Sequence, residues 1–131
     1  MEGAMIRVLL VDDHKLFRLC LRRMLETNKG LTIVGEAADG ESGVAAAREL
    51  RPDIILMDLL MPGVDGWQMV RQLKQKEDFA QLQIISISAL SSDQLAERGG
   101  PPEGSHFMAK PVDIGWLKGY LLGLMTPQAW I

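Results

Sequence analysis

The chain has 131 residues, 47% of them hydrophobic and 24% charged, with a formal net charge of −3. These values suit one soluble globular domain with a full core. The longest apolar run is far short of the ~20 residues a membrane-spanning helix needs, and the net negative charge with no basic stripe argues against direct binding of DNA or RNA.

The single Cys20 cannot make an internal disulfide and suits a reducing cytoplasm, and Met1-Glu2-Gly3-Ala4-Met5 lacks the charged-then-apolar pattern of a secretion signal. Along the chain, short apolar runs alternate with helix-period segments, as in a parallel α/β sheet. Ile6-Arg7-Val8-Leu9-Leu10-Val11 reads as the first strand and is followed by Asp12-Asp13. Leu16, Phe17, Cys20, Leu21, Met24 and Leu25 recur at helical spacing, with Cys20 assigned to the buried face and Gly30 ending the helix. Leu31 to Ala37 is rich in β-branched residues and reads as the second strand. Glu41 to Arg51 is an alanine-rich helix stopped by Pro52. Ile54-Ile55-Leu56-Met57 is apolar throughout, the pattern of a central strand covered on both faces, and it ends in Asp58.

A loop from Leu59 to Gly66 leads to a third helix marked by Trp67, Val70, Leu73 and Lys74. Gln83 to Ser88 and His106 to Ala109 are the fourth and fifth strands. Between them Ser91 to Arg98 can form two helical turns, which Gly99-Gly100-Pro101-Pro102 cannot continue. Asp113 is an N-cap candidate for a last helix carrying Ile114, Leu117, Leu121, Leu124 and Met125, whose extension Pro127 limits. The eight methionines fall at core spacings and suggest no cofactor box. The reading is one domain over residues 1–131, its core at about 6–125, with no output domain present.

In an open parallel sheet, the site lies beyond the carboxyl ends of the strands, where strand order reverses. Those ends carry Asp12-Asp13, Asp58, Ser88 and Lys110. A flavodoxin-like order 2-1-3-4-5 would make their four strands neighbours. Three carboxylates so gathered repel one another unless a cation joins them, and a hard divalent ion such as Mg²⁺ suits oxygen ligands. The lysine adds a compact positive charge that binds phosphate. With one carboxylate as nucleophile, the set is a phosphoryl-transfer site.

The chain resembles the receiver domains of bacterial two-component response regulators from Arg7 to about Leu124. The resemblance is carried by Val8-Leu9-Leu10-Val11-Asp12-Asp13-His14, Pro52-Asp53-Ile54-Ile55-Leu56-Met57-Asp58, Met61-Pro62-Gly63-Val64-Asp65-Gly66, Ser86-Ile87-Ser88-Ala89 and Phe107-Met108-Ala109-Lys110-Pro111. The opening segment and the stretch from Ile33 to Gly40 are most similar to regulators with a C-terminal helix-turn-helix domain. The resemblance implies a (βα)5 three-layer sandwich with the parallel strands in that order. It also implies a switch that accepts a phosphoryl group from a histidine kinase or phosphotransfer protein, rather than a turnover enzyme. Asp58 would be the phosphoacceptor. Asp13 and Asp58 would bind Mg²⁺ directly, Asp12 through water, and the Leu60 backbone carbonyl would be a further ligand. Ser88 and Lys110 would contact the phosphoryl oxygens, with Ala89 leaving room and a cis Lys110-Pro111 bond aiming the lysine. Phe107 would turn inward when Ser88 moves, changing the surface around the fourth helix, fifth strand and fifth helix.

Two departures stand out. The Gly-Pro segment shortens the fourth helix, and Leu60 and Leu90 occupy places where the family often has polar residues. His14 is assigned to a helix start outside the metal shell and His106 to a strand edge, while Trp116 and Tyr120 either wrap the core edge or face a partner. A receiver that never takes phosphate and acts as an interaction module is the alternative. A flavin or nucleotide enzyme on the same sheet is disfavoured, because Asp12-Asp13-His14-Lys15 offers no phosphate-cradling donors. An output domain, a partner protein or a homodimer all fit the sequence.

Overall fold

The computed structural model describes residues 5–61, 63–75, 79 and 81–125. Pro62 and the stop expected at Pro127 lie outside these residues, as does the side chain of Met125. Ten elements alternate: β1 (Ile6–Val11), α1 (Lys15–Leu25), β2 (Leu31–Ala37), α2 (Gly40–Leu50), β3 (Ile54–Asp58), α3 (Gly66–Lys74), β4 (Gln83–Ser88), α4 (Ser92–Glu97), β5 (His106–Ala109) and α5 (Ile114–Met125). All strand pairs are parallel, and the sheet order is β2-β1-β3-β4-β5.

Strand side chains alternate between faces, so the sheet divides the core in two. Leu9, Val11, Ile55, Met57 and Ile84 point to one side, where they meet Val44 and Ala47 of α2 and Met69, Val70 and Leu73 of α3. Leu95 of α4 packs against the same cluster. Val8, Leu10, Ile54, Leu56, Ile85 and Ile87 point to the other side, against Leu21 and Leu25 of α1 and Leu117 and Leu121 of α5. Each of these buried leucines contributes roughly 1.5–3 kcal/mol of transfer free energy. Every residue of β3 is buried, as its unbroken apolar run predicts.

The face of α1 departs from expectation. Cys20 is exposed, Leu16 is 73% exposed and Met24 46%. Two rows of apolar residues run side by side on this helix, and residues four apart share a row. The row Phe17, Leu21, Leu25 meets the sheet, whereas Leu16, Cys20 and Met24 lie one step round the helix and face outward. The helix also stops earlier than Gly30. Glu26 is its C-cap, and the Thr27 hydroxyl donates to the Met24 carbonyl at 2.8 Å. Asn28 accepts from the Gly30 amide at 2.7 Å, so Gly30 belongs to the turn that enters β2.

The remaining helix ends follow local chemistry. Asp39, Asp65 and Ser91 each accept a hydrogen bond as N-cap residues, and Asp113 accepts from the Trp116 amide at 2.9 Å. α4 ends at Glu97, where Gly99 and Gly100 turn the chain with φ of 83° and 91°. No helix among the described residues is long and apolar enough to cross a membrane.

Candidate functional site

Register brings the chemistry together. Val11 pairs with Met57, so Asp12 leaves β1 beside Asp58 at the end of β3. Asp58 pairs with Ile87, which sets Ser88 next along β4, and Ser88 pairs with Ala109, which sets Lys110 just past β5. The Lys110 amide donates to the Ser88 carbonyl at 2.8 Å, fixing the start of the last loop, and the Lys110-Pro111 bond is cis.

Asp12 and Asp58 are 3% and 5% exposed, far more buried than carboxylates usually are. The Lys110 Nζ lies 3.4 Å from Asp12 Oδ2 and 3.6 Å from Asp58 Oδ2. It also sits 4.3 Å from the centre of the Phe17 ring, whose face favours a cation there. The Leu60 amide donates to Asp58 Oδ1 at 3.2 Å. Burial pushes the Asp58 carboxyl above its ordinary range; the Leu60 amide and Lys110 oppose this, and the charges of Asp12 and Asp13 add to it.

One lysine cannot balance three acids at this spacing. Ligand atoms of Asp12, Asp13, His14 and Asp58 all lie within 4.8 Å of one another. The carboxylates are hard oxygen donors that suit a Mg²⁺-sized cation, and Asp13 is exposed enough to leave positions open to water. His14 is an N-cap residue, as expected, yet it is not remote from this cluster. Its Nδ1 lies 3.2 Å from Asp12 Oδ1 and 3.3 Å from Asp13 Oδ1, and its amide donates to Asp12 Oδ1 at 2.8 Å. The Asp12 turn folds back on itself, a signal readable in an Asp two residues before the helix N-cap.

Residues 8–121 match the family described as the response regulator receiver domain. The chain belongs to that family. Over 118 residues the receiver is 41% identical to the transcriptional regulatory protein YdfI of Bacillus subtilis (strain 168), a match that covers 90% of this chain and 48% of YdfI. It is 51% identical over 89 residues to LiaR of the same strain, covering 68% of this chain and 41% of LiaR. The receiver thus spans less than half the length of these relatives. Among solved structures, the signal receiver domain of NarL from Mycobacterium tuberculosis superposes with a TM-score of 0.77 at 27% identity, covering 92% of this chain and 96% of that one. Receivers of this family are signalling domains of two-component systems and generally use Mg²⁺ at an acidic pocket.

The structure also places the other residues that the sequence singled out. Ser88 is fully buried, and its Oγ accepts from the Leu90 amide at 3.0 Å. Phe107 is 36% exposed, outside the core. Leu60 is 40% exposed and Leu90 half-buried. Tyr120 packs on the core edge with its hydroxyl 2.9 Å from His106 Nδ1, while Trp116 stacks on it at 4.9 Å and stays 58% exposed. His106, on the edge strand β5, reaches Gln83 Oε1 at 3.0 Å with its other ring nitrogen.

Proposed function

We propose that this receiver is a phosphorylation-dependent switch that takes a phosphoryl group from a histidine kinase or phosphotransfer protein onto Asp58. The observation that carries the reading is the buried Asp58 held between a backbone amide and the Lys110 ammonium, beside two further acids. An Asp58 carboxylate oxygen attacks phosphorus, the bond from phosphorus to the donor atom breaks, and that atom leaves with the electron pair. The product is an aspartyl phosphate. Lys110 offsets charge on the phosphoryl oxygens. Ser88 already accepts from Leu90, which leaves its hydroxyl proton free to bond a phosphoryl oxygen. Ala89, exposed beside it, leaves space.

Asp13 and Asp58, Asp12 through water and the Leu60 carbonyl would hold Mg²⁺, which supplies charge neutralisation for acids and phosphoryl alike. A turn of Phe107 inward as Ser88 engages the phosphoryl would then alter the surface of α4, β5 and α5. This role belongs in the cytoplasm, with the signal passed to an output domain, a partner protein or a second copy. The test is incubation with acetyl phosphate and Mg²⁺. One acid-stable, base-labile phosphoryl group is expected on wild type and none on Asp58→Asn; labelling of the variant at the wild-type rate would overturn the assignment.

A further inference from the structure

A cleft of about 390 Å³ opens beside the acid cluster, lined by Asp13, Leu60, Met61, Gly63, Asp65 and Arg98. Among these lining residues two are acids and Arg98 is the one cation. A phosphodonor is an anion, and a mouth walled only by carboxylates would repel it. Arg98 is the C-cap of α4, the short helix that the Gly-Pro segment cuts off, and it lines the same cleft as Asp13.

Three contacts hold it there. The Trp67 indole N–H donates to the Gly100 carbonyl at 3.0 Å, tying the chain after α4 to the first turn of α3. The Arg98 guanidinium lies 4.9 Å from the centre of the Trp67 ring. Its Nη1 is 3.8 Å from Asp65 Oδ2, while Asp65 Oδ1 is committed to capping α3 through the Gln68 amide at 2.9 Å. The cation–π contact holds the guanidinium over the indole, whereas the ion pair is long and partly exposed, 46% at Arg98 and 30% at Asp65, so it can be exchanged for a stronger anion at little cost.

We infer that Arg98 is an anion-recognition residue at the mouth of the acceptor site, drawing the charged phosphodonor toward Asp58, with Trp67 as its positioning residue. The inference rests on the phosphoacceptor reading above and adds to it a residue that acts before the chemical step. Its signature is therefore in capture of the donor and not in the rate once the donor is bound.

The experiment measures Asp58 labelling against acetyl phosphate concentration, with Mg²⁺ fixed and at several ionic strengths. For Arg98→Gln the second-order rate constant should fall by about tenfold and lose most of its salt dependence, while the saturating rate stays the same. Arg98→Lys should restore most of the loss, and Trp67→Phe, which loses the N–H bond, should lie between. Thermal midpoints of each variant report folding. If Arg98→Gln captures donor as wild type does, or loses only saturating rate or thermal stability, Arg98 is merely a structural latch and the inference is overturned. If wild type takes no label from the donor, the acceptor reading itself fails and this inference falls with it.

Discussion

Hydrolysis of an aspartyl phosphate needs a water molecule in line with the bond that breaks, and Leu60 and Leu90 stand on the loops that follow Asp58 and Ser88. Leu60 projects outward at 40% exposure, and the half-buried Leu90 is tethered by its amide to Ser88 Oγ. Neither side chain can hydrogen-bond a water or orient it, as positioning residues do in other phosphoryl-transfer sites. The phosphorylated protein should therefore decay slowly, which suits a lasting output. Leu60→Asn with Leu90→Gln should hasten decay by about tenfold, or ~1.4 kcal/mol of barrier. The readout is loss of label with Mg²⁺ present and donor removed, and a double variant that decays no faster would show that access here is not limiting.

Between elements, one charged cluster fastens α1 to β2. Glu36 of β2 accepts from Arg18 Nε at 3.0 Å and from Arg22 Nη1 at 2.7 Å. Arg18 also donates from its other arm to the Asp12 carbonyl, so the clamp reaches the loop that carries the acids. Burial works to raise the Glu36 carboxyl, but the hydrogen bonds and positive charges of Arg22 and Arg18 together outweigh it and hold the group below its ordinary value of 4.5. A carboxyl with a depressed folded-state pKa contributes stability that is complete above the unfolded value and lost as pH falls through the folded one. Glu36→Gln should thus lower stability by about 0.5–1 kcal/mol at neutral pH, a modest amount because Arg22 is partly exposed. The gap between variant and wild type in urea midpoint should narrow as the pH falls below 4.5. A gap that stays constant with pH would mean that the ion pairs contribute nothing measurable.

Across the whole molecule, the buried Asp58 carboxylate works against folding. Asp58 is almost fully buried, and its carboxyl is pushed upward by that burial and then by Asp12 and Asp13, with Leu60 and Lys110 only partly offsetting them. An acid whose folded-state pKa is raised costs stability once the pH exceeds that value, so at neutral pH the ionised carboxylate weakens the fold. Asp58→Asn keeps the shape and removes the charge. Without divalent ions it should raise stability by about 1 kcal/mol, or roughly 3–5 °C in Tm for a domain of this size. Added Mg²⁺ should raise the wild-type Tm and affect the variant less, since a ligand that binds only the folded state stabilises it. Asp13→Ala should reduce the Mg²⁺ effect more than Asp12→Ala. A variant less stable than wild type in the absence of ions would show that the Lys110 contact outweighs the burial.

Much of this was legible in the chain because the period of an apolar pattern reflects local geometry. The unbroken run of β3 identified a strand covered on both sides, and the acids, hydroxyl and lysine at the carboxyl ends of β1, β3, β4 and β5 could be read as one group, which the sheet brings together. Caps and breakers were equally local, from Asp113 before α5 to Gly99 and Gly100 after α4. What the pattern could not decide was which of two adjacent apolar rows on α1 meets the sheet, since both have the same spacing. Only packing chose Phe17, Leu21 and Leu25 over Leu16, Cys20 and Met24. Likewise, the contact of His14 with both neighbouring acids depends on how the β1–α1 turn folds back, and the meeting of Arg98 with Trp67 and Asp65 on how α4 lies against α3. Those residues are far apart in sequence or joined by a turn of unspecified shape. Their contacts follow from the relative placement of whole helices, which local composition does not encode.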